Sequence, residues 1–580
     1  MSAASVRSPA SPEPSTLLLV IIILACAATT LLTGNLQGVF EGKLIDTDSY
    51  ARVSRIEAMF EVGRVLQYTP RDNGGLNIPL HWTHLLDAMI LLLMLPLRLF
   101  FPLHEALRLA GAAIGPASTA MVAVSAFLTV RLSAGSGRFA ISAAVLAALA
   151  PGIVAYGAFG RADHHVVLAA IAVIMPALAY VAGTGRRGLM PAAMAGVFGG
   201  LGEWVSPEAL PFMLIAWGIT ALRDVEAERR VGPRALAFAG GHLALMLFAW
   251  LIDPPAGGRF AVEIDRLSMA YVELAAGMFV VPLVLRRFTP DVASPWLASI
   301  LAGATLGMPV AVWVVYYAGV AKAPGGIAAP AATERVWQYV AELQPATSLE
   351  NLGLLIVFPA LVLAVSLGAL LWRTRTPMTL LLAIFAGFLL YMGIKHIRFA
   401  MYLELAAVVA LGVVIEVVSR REAARVWRLA LLAAWLGLLV GPYVLSSVLP
   451  SKKNADERGA SCDPRPLTRD LEPLAGQIVL TTFSDGPEVL YFTRVITVAG
   501  PYHRAEQQIM RSMDAFDETN FAGAMPASFA VTKATAVLMC TKDRVQPGTF
   551  AAALKEGRPP DWLVERPLDP KSGYRLYLVR

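Results

Sequence analysis

Charge is what this sequence has least of. Only 16% of its 580 residues are Asp, Glu, Lys or Arg, where a soluble chain carries roughly a quarter. That deficit excludes an ordinary soluble protein. Cysteine is scarcer still: Cys26, Cys462 and Cys540 are the three. Cys26 lies inside the first apolar run and reads as a small buried side chain. Cys462 and Cys540 fall in the C-terminal tail and could pair if that tail faces an oxidising compartment. The formal charge of +6 gives no reason to expect a nucleic-acid partner. In a chain of this kind basic residues collect in cytoplasmic loops and set orientation.

Apolar length takes the place of charge. Apolar residues make up 57% of the chain, and the mean hydropathy is +0.61. Stretches long enough to cross a hydrocarbon core of about 30 Å recur from Leu17 to Leu449. The first, Thr16 to Leu32, has no small-residue cleavage site after it and reads as a retained span. Further spans are predicted near 109–131, 139–158, 164–182, 188–206, 207–222, 234–251, 268–285, 293–318, 351–371, 377–394, 399–418 and 429–449. With the first, that makes about thirteen. Arginines mark alternate loops: Arg131 and Arg138, Arg186 and Arg187, Arg223, Arg229, Arg230 and Arg234, Arg286 and Arg287, Arg373 and Arg375, then Arg420, Arg421, Arg425 and Arg428. Those loops are expected in the cytoplasm.

The reading is therefore an α-helical polytopic membrane protein. Residues 1–15 form a cytoplasmic N-terminal segment, 16–449 the transmembrane domain, and 450–580 a soluble extracytoplasmic domain of mixed α/β type. The membrane is the plasma (inner) membrane. Leu85 to Phe101 is apolar enough to span, but counting it would reverse every later arginine loop. Residues 35–108 are read instead as a large external loop whose apolar part lies in the interface or re-enters. The amphipathic run His81-Trp82-Thr83-His84 fits that depth.

With this orientation, acids gather on the external side. The first loop holds Asp46-Thr47-Asp48-Ser49-Tyr50, another holds Gly160-Arg161-Ala162-Asp163-His164-His165, and a third holds Val340-Ala341-Glu342-Leu343-Gln344-Pro345. Carboxylates and imidazole from separate loops at one face suit Mg²⁺ or Mn²⁺. Each acid alone reads as solvated loop surface; the shared pattern singles them out.

At these residues the chain resembles the catalytic subunits of membrane oligosaccharyltransferases, within the GT-C glycosyltransferases that use lipid-linked sugar donors. Asp48-Ser49-Tyr50 matches the family's first-loop acid and aromatic, with Asp46 an equally placed alternative. Asp163-His164-His165 matches an archaeal-like metal motif, Glu342 with Gln344-Pro345 the late external-loop motif, and Lys395-His396-Ile397-Arg398-Phe399 the donor-phosphate arginine.

The resemblance implies a GT-C-like fold and transfer of a sugar or oligosaccharide from a polyprenyl-phosphate or -diphosphate donor on the external face. Asp48 (or Asp46), Asp163 and His165 would hold the metal. Glu342 would complete that site or orient the acceptor, and Arg398 would bind the donor phosphate. His164 would support, and Asp485 and Gly486 would stand where the family binds its acceptor. That family motif is Trp-Trp-Asp-Tyr-Gly. Here Thr482-Phe483-Ser484-Asp485-Gly486 keeps only the Asp and the Gly. An Asn-X-Ser/Thr peptide is accordingly expected to be a poor acceptor, and a glycan, a lipid or another protein side chain the real one. A transporter or flippase of lipid-linked glycans is the alternative, but it would place its polar groups near the midplane of the spans.

Overall fold

The computed structural model describes residues 14–33, 35–134, 139–183, 185–287, 294–318, 335–336, 340–347, 352–373, 375–419, 433–434, 437 and 462–580. Two parts follow from the two compositions: an apolar helical body, and a unit built on a β-sheet from residue 462 onward.

Six helices among the described residues are long and apolar enough to cross a membrane. They lie at Leu103–Ala134, Pro233–Ile252, Pro295–Tyr317, Leu355–Trp372, Pro377–Lys395 and Ile397–Val417. Shorter apolar helices occupy Thr16–Leu32, Leu85–Leu97, Ala140–Leu149, His165–Val181 and Met269–Leu285. Most of the span expected at 429–449, and the arginines from Arg420 to Arg428, fall outside the described residues.

One expected span is divided. Residues 139–158 form two helices, Ala140–Leu149 and Pro151–Tyr156, because Ala150 turns out of the helical region at φ −58 and ψ 130. The cause is Pro151, whose ring disfavours helical backbone in the residue before it. Residues 188–222 also divide as expected, into Met190–Val205 and Leu210–Glu228 about a one-turn helix Pro207–Ala209.

Leu85–Leu97 is helical, and both its ends are tied to the side that carries the sheet. At its start the His84 backbone N–H donates to Asp253 at 2.8 Å. Past its end, His104 pairs with Glu57 and stacks on Tyr491 of the C-terminal unit. Leu92, Leu95, Leu99 and Phe100 stay exposed on this hairpin.

The C-terminal unit holds five strands: β1 Ile478–Leu480, β2 Ile496–Thr497, β3 Ala536–Cys540, β4 Leu563–Arg566 and β5 Tyr574–Val579. Their order is β2-β1-β3-β5-β4. β1 runs parallel to β2 and β3, while β5 is antiparallel to β3 and β4. Every residue of β3 is buried, as a strand covered on both faces must be. Cys462 and Cys540 are bonded, joining the start of the unit to the end of β3.

The unit is seated on residues 35–108. Thr497 N–H donates to Arg71 O at 2.9 Å, and Gly500 N–H to Asn73 Oδ1 at 3.1 Å. Beside these, Arg504 pairs with Glu263 and Asp265. Trp82 packs edge-on against Tyr502 at 5.3 Å between ring centres, with the Arg52 guanidinium 4.2 Å over its face.

Candidate active site

The site begins with a helix cap. Asp46 has extended backbone and its carboxylate accepts the Ser49 N–H at 2.8 Å, starting the helix Thr47–Val62. Asp48 sits in that helix's first turn, where a negative charge meets the unsatisfied N–H groups. The loop before His165–Val181 is laced to this start: Ile45 N–H donates to Gly160 O at 3.0 Å, and Ala162 N–H to Ser49 Oγ at 2.8 Å. Gly160 permits the join. Its φ is +107, and a Cβ there would come within 2.8 Å of Val39.

A third strand of chain arrives by the same logic. His396 Nδ1 bonds Leu343 O at 2.8 Å, Ile397 N–H donates to Gln344 O at 3.0 Å, and Ala346 N–H to Ile394 O at 3.1 Å. These bonds hold Glu342 beside Arg398. Segments almost 240 residues apart in sequence therefore converge on Asp163 and His165.

The distances define one cluster. His165 Nε2 lies 3.6 Å from Asp163 Oδ2 and 3.8 Å from Glu342 Oε1. Arg161 reaches Asp46 at 2.6 Å, and Asp163 and Glu342 at 3.9 Å each. Arg398 donates to Glu208 at 2.6 Å and lies 3.7 Å from Glu342. Both guanidinium groups are backed by a ring, Arg161 by Tyr156 and Arg398 by Phe399. Such stacking fixes their planes and leaves their edges free for oxygen atoms.

Ligand atoms of Asp163, His164 and His165 all lie within 4.8 Å of one another. His164, read as support because neighbours in sequence rarely face one ion, is thus gathered with its neighbours. Its Nδ1 is 2.9 Å from Asp163 Oδ1.

Electrostatics separates the acids. Burial would raise the Asp163 carboxyl, yet His165, His164 and Arg161 hold it well below the usual range. Glu342 is likewise drawn down against its burial, by the hydrogen bond and charge of His165. Asp48 goes the other way. Burial, then Asp46, Asp163 and Glu342, push it up to about 8, with only Arg52 opposing. Four carboxylates share one small region, and the last of them is left short of positive charge. A divalent cation held by oxygen and imidazole nitrogen would supply it. The residues present therefore fit such an ion.

Two residues given no role in the sequence reading belong here, Arg161 and Glu208. Arg161 carried a local signal, two positions before Asp163. Glu208, with Glu203 around Trp204, is expected at a loop end on the same face, but nothing local names its partner Arg398, 190 residues away.

Asp485 and Gly486 stand apart from the cluster. Burial, then Asp543 and Glu488, raise the Asp485 carboxyl well above its ordinary value. Gly486 lies where a Cβ would be 2.3 Å from Ala499 O, a packing reason for glycine. The C-terminal side chain whose electrostatic neighbours include Asp48 is Tyr502, 1% exposed.

No family model and no curated protein matches the chain. Solved structures do. The archaeal oligosaccharyltransferase AglB from Archaeoglobus fulgidus, in complex with an inhibitory peptide and a dolichol-phosphate, superposes with a TM-score of 0.63 at 14% identity. The alignment covers 91% of this chain and 69% of that one. The fold is that of an oligosaccharyltransferase. The Archaeoglobus fulgidus enzyme tethered to an acceptor peptide containing an NVT sequon gives the same TM-score at 16% identity and the same coverage. Its complex with Zn and sulfate gives 0.60 at 15%, covering 91% of this chain and 68% of that one.

Proposed function

We propose that the protein is a metal-assisted membrane glycosyltransferase of the GT-C type. It transfers a sugar or oligosaccharide from a polyprenyl-phosphate or -diphosphate donor to a glycan, lipid or protein acceptor at the external face. The observation that carries this reading is the convergence of Glu342, from a separate loop, on Asp163 and His165 between two ring-backed arginines. The likeness to a structure that holds dolichol-phosphate supports a lipid-linked donor, and the likeness to one that holds Zn supports a metal site.

In this reading residues 16–449 are the membrane domain and 450–580 the extracytoplasmic one, with the N-terminus in the cytoplasm. Asp48 or Asp46, Asp163 and His165 would hold Mg²⁺ or Mn²⁺, which when bound would supply positive charge beside the leaving phosphate. Arg398 gives its planar fork to the phosphate oxygens. The bond from the anomeric carbon to the phosphate oxygen breaks, and a bond from that carbon to the acceptor forms. The electron pair leaves with the phosphate. The acceptor's proton passes to a carboxylate of the Asp46, Asp48 and Glu342 set.

The test is sugar release from a defined polyprenyl-linked oligosaccharide by purified protein in nanodiscs. Activity with Mn²⁺ or Mg²⁺ and loss on chelation is expected. Full activity in excess chelator would remove the metal from the reading.

A further inference from the structure

We propose that Glu208 is a positioning residue that serves two partners at once, aiming His165 at the metal and holding Arg398 for the donor phosphate. Metal and phosphate would then bind cooperatively through it. The inference rests on the function proposed above and adds a residue and a coupling to it.

Glu208 sits in the one-turn helix Pro207–Ala209, and its N–H donates to the Ser206 side chain at 3.3 Å. That turn joins the helices Met190–Val205 and Leu210–Glu228, so the carboxylate stands on two packed elements. Its Oε1 accepts from Arg398 Nη2 at 2.6 Å. Its Oε2 faces His165 Nδ1 at 3.7 Å and, though shut off from solvent, has no hydrogen-bond partner among the described residues.

The His165 ring is 4% exposed and has two distinct sides. Nε2 looks toward Asp163 and Glu342, and Nδ1 looks back at Glu208. An imidazole that ligates through one nitrogen needs an acceptor for the N–H on the other, which fixes its tautomer and raises its basicity. Glu208 Oε2 is the carboxylate oxygen placed for that work, and a small shift would close the gap.

The same carboxylate is shared with Arg398. When phosphate oxygens occupy the Arg398 fork, less of its charge falls on Glu208, and Glu208 becomes a stronger partner for His165. The metal ligand then binds more tightly. Linkage requires the reverse too: metal bound through His165 strengthens phosphate binding. A Glu208 that merely neutralised Arg398 would leave His165 unaffected.

Mn²⁺ binding to the purified full-length protein in nanodiscs, followed by electron paramagnetic resonance with and without added polyprenyl phosphate, separates the cases. The wild type is expected to bind Mn²⁺ with a histidine-nitrogen coupling, and more tightly when the lipid is present. Glu208→Gln is expected to weaken Mn²⁺ binding roughly 10–100-fold, diminish the nitrogen coupling and lose most of the lipid effect. Arg398→Gln, which leaves Glu208 to His165 alone, should keep the nitrogen coupling and lose the lipid effect. Glu208→Gln that binds Mn²⁺ as the wild type does, with the same coupling, would overturn the inference alone. A lipid effect retained in Arg398→Gln would overturn it even if Glu208→Gln did not fold. Failure of the wild type to bind Mn²⁺ would overturn the proposed function with it.

Discussion

Two groups of buried acids in this protein differ in the company they keep. Around His165, Asp163 and Glu342 are met by Arg161 and Arg398 and held below their ordinary range. In the C-terminal unit, Asp485, Glu488 and Asp543 meet one another. Burial brings Glu488 to about 7, against the Tyr50 hydrogen bond and then Lys43, and brings Asp543 to about 6, against Lys555. In sequence, Asp163 beside His164 and Asp485 beside Gly486 carry no local sign of that difference. In the proposed reading, the arginine forks ready the first group for a phosphate beside a cation. The second is a place where protons are kept. Asp48 stands between the two, inside the first group yet raised like the second.

The largest expected effects break the first group. Asp163→Asn and His165→Ala should each reduce transfer at least about 100-fold, measured with a lipid-linked donor, while the protein stays folded by gel filtration. Equal rates would place the chemistry elsewhere.

The second group rests on the bond between Cys462 and Cys540, three residues before Asp543. Closing a loop with a sequence separation of 78 stabilises by about 4 kcal/mol through restriction of the unfolded chain. Cys462→Ser should lower the midpoint of C-terminal unfolding accordingly. It should leave Mn²⁺ binding at His165 in place while the unit is folded. An unchanged midpoint would deny the bond its role.

The same unit should lose stability as pH rises. A carboxyl raised on folding binds its proton more tightly in the folded state. Its stabilising contribution is thus complete below the unfolded value near 4.5 and is lost as pH climbs through about 7 for Glu488. That shift amounts to about 3 kcal/mol. Melting between pH 4 and 8 should show the decline, and Glu488→Gln should remove part of it, the raised Asp485 and Asp543 carboxyls accounting for the rest. A decline of the same size in Glu488→Gln would assign it to other groups.

The smallest effect sharpens the boundary between the groups. Tyr502 carries a buried hydroxyl without a hydrogen-bond partner among the described residues, so Tyr502→Phe should be neutral or stabilising by up to about 1 kcal/mol. Transfer should be unchanged. A fall in transfer would bring the C-terminal unit into the chemistry.

Much of this was legible in the residues. Apolar length located the helical body, and the change of composition after Leu449 located the sheet. The acids of three loops converge because short local signals, a helix cap at Asp46 and a turn at Gly160, place them there. The break at Ala150 was also written, in Pro151, but apolar continuity across 139–158 outweighed it. What a sequence does not carry is partnership across long separations. Nothing local ties Glu208 to Arg398. Nothing local separates Asp485, enclosed among acids, from Asp163, enclosed among cations.

If the first group of acids moves a sugar from a lipid phosphate to an external acceptor, the cell's pools of donor and product must change together when the protein is lost. The most direct measurement compares a deletion strain with its parent by mass spectrometry of lipid-linked sugars, envelope polysaccharide and glycoproteins. The account predicts accumulated polyprenyl-linked sugar together with one missing envelope glycan, and asparagine-linked glycopeptides unchanged. All three pools unchanged would contradict it.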